Sequence, residues 1–231
     1  MNLERLAENL ESVRSIMADA AARSGRAAGA VSLVAVTKRR SGKLVRALMA
    51  LGERDLGENY PQELWEKVQD LADLTVRWHL IGHLQGNKAK RTIPMVRMIH
   101  AVDSLRLLKS LDEIAAAMTN PPIVCLQVNG SGEQAKHGWS PEAILADADE
   151  IASCRSIPVV GLMTMAALGT DAESARPTFA LVRELRETLR ARTGFALPHL
   201  SMGMSGDFEA GIEEGATLVR IGSALFEGVE T

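Results

Sequence analysis

The apolar residues recur at two spacings that alternate along the chain. The first segment has the three- to four-residue spacing of an amphipathic helix, with apolar positions at Leu3, Leu6, Leu10, Val13 and Met17. Residues Ser24 and Gly25 mark its predicted end. The run VSLVAVTK (31–38) follows, and it is β-branched and too short for a helix. Its continuous hydrophobicity predicts a parallel strand that is covered on both faces.

The same alternation continues to the end of the chain and gives eight strand candidates. They are VSLVAVTK (31–38), DLGENY (55–60), RWHLIG (77–82), MIHAVD (98–103), IVCLQVNG (123–130), VVGLMTM (159–165), HLSMGMS (199–205) and LVRIGSALF (218–226). Helical segments separate them, including one that Pro61 opens, one capped by Ser140 before Pro141, and a long one from about Glu173 to Arg192. Regular alternation predicts a parallel sheet, and eight units predict closure into an α/β (β/α)8 TIM barrel. The alternative is an open, doubly wound sheet.

Length and composition fit one globular barrel domain over residues 1–231, with an extra N-terminal helix. Of these 231 residues, 46% are hydrophobic, which is enough for a buried core. The formal net charge of −3 argues against a nucleic-acid partner. Cys125 and Cys154 form no CxxC pair, which indicates buried free thiols in a reducing compartment. No signal peptide or membrane span is recognisable, so we expect a cytoplasmic monomer that binds no membrane.

The C-terminal ends of the strands are where this fold carries its functional groups. These ends place Lys38 after the first strand, Asn59 after the second and His79 in the third. Lys38 ends an apolar strand, where partial desolvation would make its amine more nucleophilic. The alternative is a lysine that simply extends from the barrel mouth into water.

The last two strands carry small residues that suit a phosphate group. Alternation puts Ser201, Gly203 and Ser205 on one face of the seventh strand, and the eighth supplies Arg220, Gly222 and Ser223. We expect Ser205 to open a helix, and small residues with free backbone N–H groups at this place form the usual phosphate site of barrels. Ordinary turns use the same residue types. The carboxylate of Asp207 would repel an anion, so we expect it to point outwards.

In a closed barrel the first and last strands are neighbours, so Lys38 would lie beside this phosphate site. An amine next to a phosphate cradle suggests a phosphorylated aldehyde held as a Schiff base. Other motifs are weak: GHLQGNK (82–88) lacks the final glycine and hydroxyl of a P-loop. Gly82 interrupts the pair His79 and His83, so no metal site is expected.

Five segments together resemble the pyridoxal phosphate homeostasis proteins. They are AVTK (35–38), GENYPQE (57–63), WHLIGHLQGNK (78–88), SMGMSGDFEAGIEEGA (201–216) and VRIGSALF (219–226). The resemblance covers almost the whole chain in the same order. It implies a barrel similar to the N-terminal domain of bacterial alanine racemase, with pyridoxal 5′-phosphate (PLP) as the cofactor. The chain departs from the family pattern around the pocket mouth, for example at TKRRSG (37–42) and Gly206.

The resemblance also implies a role for individual residues. Lys38 matches the lysine that forms the internal aldimine, and Arg220 matches the arginine that faces the pyridine nitrogen. Lys136 matches a second family lysine near the pocket. Phosphate-cradling positions of the family match Ser205, Gly222 and Ser223, and the strand ends add Asn59, Ser201 and His79 as further candidates for cofactor binding.

Three functions compete at this point. The first is a PLP carrier that holds and releases the cofactor, acts on amino-acid metabolism indirectly and passes PLP to apo-enzymes. The second is a weak PLP-dependent racemase, but an arginine at the pyridine nitrogen weakens the ring as an electron sink. Tyr60 is the single tyrosine, and no second domain supplies an opposing base. The third is a cofactor-free phosphosugar isomerase with Glu58 or Asp103 as base.

Overall fold

The fold comes from a computed structural model that describes residues 2–133, 137–167, 169 and 171–229. Within these residues, eight parallel strands close into a barrel in the order β1 to β8, with β1 paired to both β2 and β8. The predicted (β/α)8 TIM barrel is therefore confirmed, and the open sheet is excluded. None of the described helices combines the length and hydrophobicity that a membrane crossing requires.

The strands are short and lie inside the predicted apolar runs. They are β1 (Ser32–Val36), β2 (Asp55–Glu58), β3 (Arg77–Leu80), β4 (Met98–Val102), β5 (Ile123–Gln127), β6 (Val159–Met163), β7 (His199–Ser201) and β8 (Leu218–Ile221). The helices are α1 (Leu3–Arg23), α2 (Gly42–Ala50), α3 (Pro61–Asp70), α4 (Gly86–Thr92), α5 (Leu105–Ala115), α6 (Pro141–Ala146), α7 (Ala148–Ser153), α8 (Ala172–Thr193) and α9 (Phe208–Glu213). Short 3-10 turns cover Ala28–Ala30, Ile93–Met95 and Ser223–Phe226.

The alternation of side chains along each strand divides the core into two parts. In β1, Leu33 and Ala35 join the large cluster between the barrel and its helices, whereas Val34 belongs to a smaller inner cluster with Met98 and Cys125. In β8 the same alternation sends Leu218 inwards, and Arg220, two residues on, also faces inwards. The barrel interior therefore mixes apolar and charged side chains.

The extra helix α1 packs against the outside of the barrel, next to the segment that follows β8. Its apolar stripe is buried, and the amide of Asn9 donates to the carbonyls of Leu225 and Glu227 at 3.0 and 2.9 Å. The N-terminal helix thus fixes the segment that follows β8.

One local prediction needs correction: Ser205 and Gly206 lie in a turn, and α9 begins only at Phe208. The predicted cap at Ser140 is confirmed, since its hydroxyl accepts from the backbone N–H of Ala143 and Pro141 begins α6. A second short helix, α7, follows from Asp147.

Candidate functional site

A cavity of about 380 Å³ opens at the C-terminal ends of the strands. It gathers side chains that follow β1, β2, β3, β6, β7 and β8, which is the face where barrels carry their sites. Its lining consists of Val36, Lys38, Asn59, Ile81, Met165, Met204, Ser205, Gly206, Arg220, Gly222 and Ser223. Six sequence-predicted residues therefore meet in one place: Lys38, Asn59, Ser205, Arg220, Gly222 and Ser223.

Lys38 reaches the cavity from a turn rather than from the strand. β1 ends at Val36, and Arg39 adopts a left-handed φ of +58°. The backbone N–H of Arg39 donates to Glu63 at 3.0 Å, which ties this turn to the first turn of α3. Lys38 is exposed at the rim, which fits the alternative of a lysine that extends into water and not the desolvated amine. The turn fixes the backbone at Lys38, and the side chain stays accessible to solvent.

A buried ion pair lies beneath this turn. Glu58, at the end of β2, is fully buried and accepts from the hydroxyl of Thr37 and from Nζ of Lys67, both at 2.6 Å. Lys67 also donates to the backbone carbonyl of Thr37 at 2.7 Å. Burial raises the pKa of Glu58, although the Lys67 ammonium offsets part of that effect. Glu58 is committed to supporting the Lys38 turn, and it does not line the cavity.

Asn59 approaches the end of β3 so closely that only glycine fits there. A Cβ on Gly82 would lie 2.1 Å from the backbone oxygen of Asn59 and 2.7 Å from its side-chain oxygen. Gly82 therefore lets Asn59 stand at the cavity wall.

The residues predicted to cradle a phosphate, Ser205, Gly222 and Ser223, line the cavity wall beside Lys38. The hydroxyl of Ser205 accepts from the backbone N–H groups of Gly222 and Ala224, both at 3.3 Å, which joins the loops after β7 and β8. In the part of the chain that the structure describes, the backbone N–H groups of Gly206 and Ser223 have no hydrogen-bond acceptor. Both residues line the cavity. Unpaired N–H donors at such a place suit an anionic group.

Asp207 is buried, contrary to the outward orientation that the sequence suggested. Its carboxylate turns back on its own loop and accepts from the backbone N–H of Met204 at 2.6 Å. Burial raises the pKa of Asp207, and the nearby guanidinium of Arg220 partly offsets this. The carboxylate is thus used to fold the loop, and it is absent from the cavity lining.

Arg220 forms the floor of the cavity. One terminal nitrogen donates to the carbonyl and hydroxyl of Ser201 at 2.7 and 2.6 Å, and the other donates to the carbonyl of Thr164 at 3.0 Å. Burial lowers the pKa of Arg220 to about 10, so it remains charged at neutral pH. A guanidinium carries five N–H donors. The three contacts leave donors that can meet an acceptor in the cavity.

A chain of hydrogen bonds leads from Arg220 across the barrel interior. The Ser201 hydroxyl lies 2.6 Å from Nδ1 of His100, and Nε2 of His100 lies 2.8 Å from Nδ1 of His79. Nε2 of His79 lies 3.0 Å from Asp55, at the opposite end of the barrel. Arg77 pairs with the same Asp55 carboxylate. We call residues Ser201, His100, His79 and Asp55 the interior chain.

The direction of this chain follows from its two ends. Arg220 only donates, so the Ser201 hydroxyl accepts from it and donates onwards to His100. Asp55 at the other end only accepts, so His79 donates to it through Nε2. Burial lowers the pKa of His100 well below its usual range, and a neutral His100 that accepts at Nδ1 from Ser201 donates through Nε2 to His79.

The remaining sequence candidates lie elsewhere. Ser201 is behind Arg220, and His79 lies in the interior chain, so neither lines the cavity. Lys136 lies outside the described residues. Two residues that sequence reasoning missed are His100 and Asp55. The signal for His100 was a polar residue at an inward-facing position of an otherwise apolar strand.

The bases required by the competing functions are not in the cavity. Tyr60 is 42% exposed, and it does not line the cavity. Asp103 also lies outside, with its carboxylate 2.6 Å from His83. Among the described lining residues, the titratable side chains are those of Lys38 and Arg220.

Known proteins resemble this chain over almost its whole length. The family model described as "Alanine racemase, N-terminal domain" matches residues 1–229. A pyridoxal phosphate homeostasis protein of Pseudomonas aeruginosa is 41% identical over 224 residues, which are 97% of this chain and 96% of that protein. The chain belongs to the pyridoxal phosphate homeostasis protein family.

One more relative and two solved structures are also similar to this chain. The human pyridoxal phosphate homeostasis protein is 37% identical over 206 residues, covering 84% of this chain and 75% of that protein. PipY of Synechococcus elongatus PCC7942, solved with PLP bound, superposes with a TM-score of 0.85 at 35% identity, covering 96% and 99% of the two chains. Alanine racemase of Corynebacterium glutamicum has 18% identity and a TM-score of 0.75, so it shares the fold. This chain covers 63% of that enzyme.

Proposed function

We propose that this homeostasis-family protein binds PLP in the Lys38 cavity and takes part in intracellular PLP homeostasis. One observation carries the proposal: three kinds of group line the same cavity. They are an accessible lysine amine, unpaired backbone N–H groups on the loops after β7 and β8, and a buried arginine. PipY, which shares the fold and 35% of its sequence, has been solved with PLP bound.

The residues present fit the chemistry of this cofactor. PLP supplies an aldehyde that condenses with a lysine amine with loss of water, a pyridine ring and a phosphate group. Lys38 provides the amine, and the N–H groups of Gly206 and Ser223 provide donors for the phosphate. Arg220 provides a permanent donor for the ring nitrogen.

The surroundings of the cavity favour a carrier over an enzyme. Arg220 keeps its own proton, so a ring nitrogen that faces it stays unprotonated and draws electrons weakly. The described lining offers no carboxylate, histidine or tyrosine as a second base opposite Lys38. Weak racemase activity is the alternative function.

Exposure of Lys38 supports release of the cofactor to other proteins. Because Lys38 lies exposed at the rim, water has access to its amine, and an aldehyde condensed there would be open to hydrolytic release. We propose that PLP-dependent apo-enzymes receive the cofactor and that the protein acts as a cytoplasmic monomer. Light scattering of the purified protein measures its molar mass in solution. A monomer should give the mass of one chain, 24.9 kDa, and a larger mass would contradict it.

The covalent link is tested by trapping it. PLP added to the protein and reduced with borohydride should leave a pyridoxyl group on the peptide that contains Lys38. Lys38→Ala should lose both this label and the yellow colour, whereas Lys43→Ala, which removes an exposed lysine on α2, should keep both. Binding without a label on Lys38 would overturn the proposal.

A second experiment separates carrier from enzyme. The loaded protein is incubated with single-enantiomer amino acids and, separately, with a PLP-dependent apo-enzyme. A carrier should reactivate the apo-enzyme and racemise no faster than free PLP. Racemisation well above that of free PLP, lost in Lys38→Ala, would establish the racemase instead.

A further inference from the structure

A second group of polar side chains lies at the barrel mouth, outside the Lys38 cavity. His83 follows β3, Asp103 follows β4, and His137 lies in the segment after β5. Three consecutive strands therefore bring them to the same edge. One ligand atom from each lies within 4.8 Å of the other two. We call these three residues the lip cluster.

The two imidazoles converge on a single carboxylate oxygen. Nδ1 of His83 lies 2.6 Å and Nδ1 of His137 lies 3.8 Å from the same Oδ2 of Asp103. The rings stack with centroids 4.6 Å apart and an interplanar angle of 16°. Within the described residues, Asp103 forms its ion pairs with these two histidines.

Burial and exposure in the lip cluster suit a small bound cation. The Asp103 side chain is 8% exposed, while those of His83 and His137 are 43% and 66% exposed. The carboxylate is therefore fixed, and the imidazoles can rotate. An open groove of about 860 Å³ borders His83 and Asp103, which gives water access to the same place.

Two imidazole nitrogens and one carboxylate oxygen form a donor set that zinc and similar ions prefer. Metal–ligand bonds of about 2.1 Å in a tetrahedral site place the donors roughly 3.4 Å apart. The observed separations bracket this value, so small side-chain rotations complete the site.

The expectation of no metal site rested on His79 and His83 as the only histidine pair close in sequence. The structure separates them, since His79 faces the barrel interior and bonds to His100 and Asp55. The partners of His83 come from the ends of the next two strands, which sequence spacing does not show.

We propose that the lip cluster binds one divalent transition-metal ion of the zinc type, with water completing its coordination. The site lies beside the cofactor cavity, because a smaller cavity lined by His83 and His137 shares Asn59, Ile81 and Met165 with it. Its ligands are separate from Lys38 and Arg220, so the metal site and PLP binding can fail independently.

Titration calorimetry tests the site on untagged, chelator-dialysed protein with Zn²⁺ alone. We expect one ion per chain and a loss of at least about tenfold in affinity in both His83→Gln and His137→Gln, since each removes a ligand. His199→Gln is the control, because His199 lies at the start of β7, away from the cluster. Absence of a one-to-one isotherm, or unchanged affinity in both variants, would overturn the proposal.

Cobalt provides a second, spectroscopic readout. Co²⁺ added to PLP-free protein should give visible bands of a low-coordinate complex, and Asp103→Asn should weaken or shift them. Thermal melting of each variant without metal checks that it folds. Bands identical in wild type and Asp103→Asn, with both proteins folded, would contradict the assigned ligands.

Discussion

Arg220 donates to the hydroxyl of Ser201 over 2.6 Å, and this contact joins the Lys38 cavity to the barrel interior. Because Ser201 accepts from Arg220, its own proton is directed to His100. The buried guanidinium is thereby oriented by a chain that ends at Asp55. Its hydrogen-bond acceptors are carbonyl and hydroxyl oxygens, and the Asp207 carboxylate acts on its charge without forming a described ion pair.

Ser201→Ala should weaken PLP binding by about tenfold, or ~1.4 kcal/mol. The change removes one acceptor of Arg220 and leaves Nδ1 of His100 without its donor, so the guanidinium loses part of its support. Fluorescence titration with PLP measures the effect. Ser153→Ala, at an exposed serine, should bind like wild type. Unchanged affinity in Ser201→Ala would show that Arg220 is oriented by the carbonyls alone.

The far end of the interior chain predicts a pH effect on stability. Burial alone would raise the pKa of Asp55, but hydrogen bonds from His79 and Arg77 hold it at about 2. A carboxylate whose pKa is lower in the folded than in the unfolded state stabilises the fold at pH values above its unfolded pKa, which is about 3.9. That stabilisation is lost as the pH falls towards the folded pKa of about 2. Asp55→Asn should therefore cost about 1–2 kcal/mol at pH 7 and less at pH 3. Urea denaturation at the two pH values measures the difference.

A control for this prediction is an aspartate paired at the surface. Asp73 makes two hydrogen bonds to Arg46, and both side chains are well exposed. Solvent screens such pairs, so Asp73→Asn should change stability little at either pH. An Asp55→Asn deficit that stays constant from pH 7 to pH 3 would contradict the assigned pKa.

The loop after β7 gives a prediction from two glycines three residues apart. Gly203 has a φ of +97°, and a Cβ there would lie 2.9 Å from the Cα of Phe208. Gly203→Ala should lower the free energy of unfolding by at least about 2 kcal/mol and weaken PLP binding, because the loop after β7 must shift. Gly206 has open space around its Cβ position, so Gly206→Ala should be tolerated. Chemical denaturation and PLP titration of both variants test this, and equal losses would contradict it.

The fold was predictable because each strand and helix carries its own local pattern. The β-branched run at 31–38 and the capped helix after Ser140 are recognisable without knowledge of their neighbours. Barrel closure followed from repetition of the same unit. Helix starts were less certain, since Asp207 bonds within its turn and delays α9 to Phe208.

The site residues that lie at strand ends or within family motifs were predictable from the sequence. Lys38, Ser205 and Arg220 do meet in one cavity. The interior chain was not predictable, because His100 and Asp55 are 45 residues apart in sequence and are linked only through His79, which the barrel register places between them. The exposure of Lys38 matches the alternative of a lysine that extends from the barrel mouth into water, and it arises because β1 ends two residues before Lys38.

The buried pair beneath the Lys38 turn gives the last prediction. Lys67→Met should destabilise the fold by about 3 kcal/mol at neutral pH, because Glu58 is left buried without its cation. Burial raises the pKa of Glu58, and loss of Lys67 raises it further. An acid with a raised folded pKa binds more protons when folded, so stability falls as pH rises. The deficit should therefore be larger at pH 8 than at pH 5, and Lys67→Met/Glu58→Leu should recover part of it. A pH-independent deficit in urea denaturation would show that lost packing, rather than the unpaired carboxylate, is the cause.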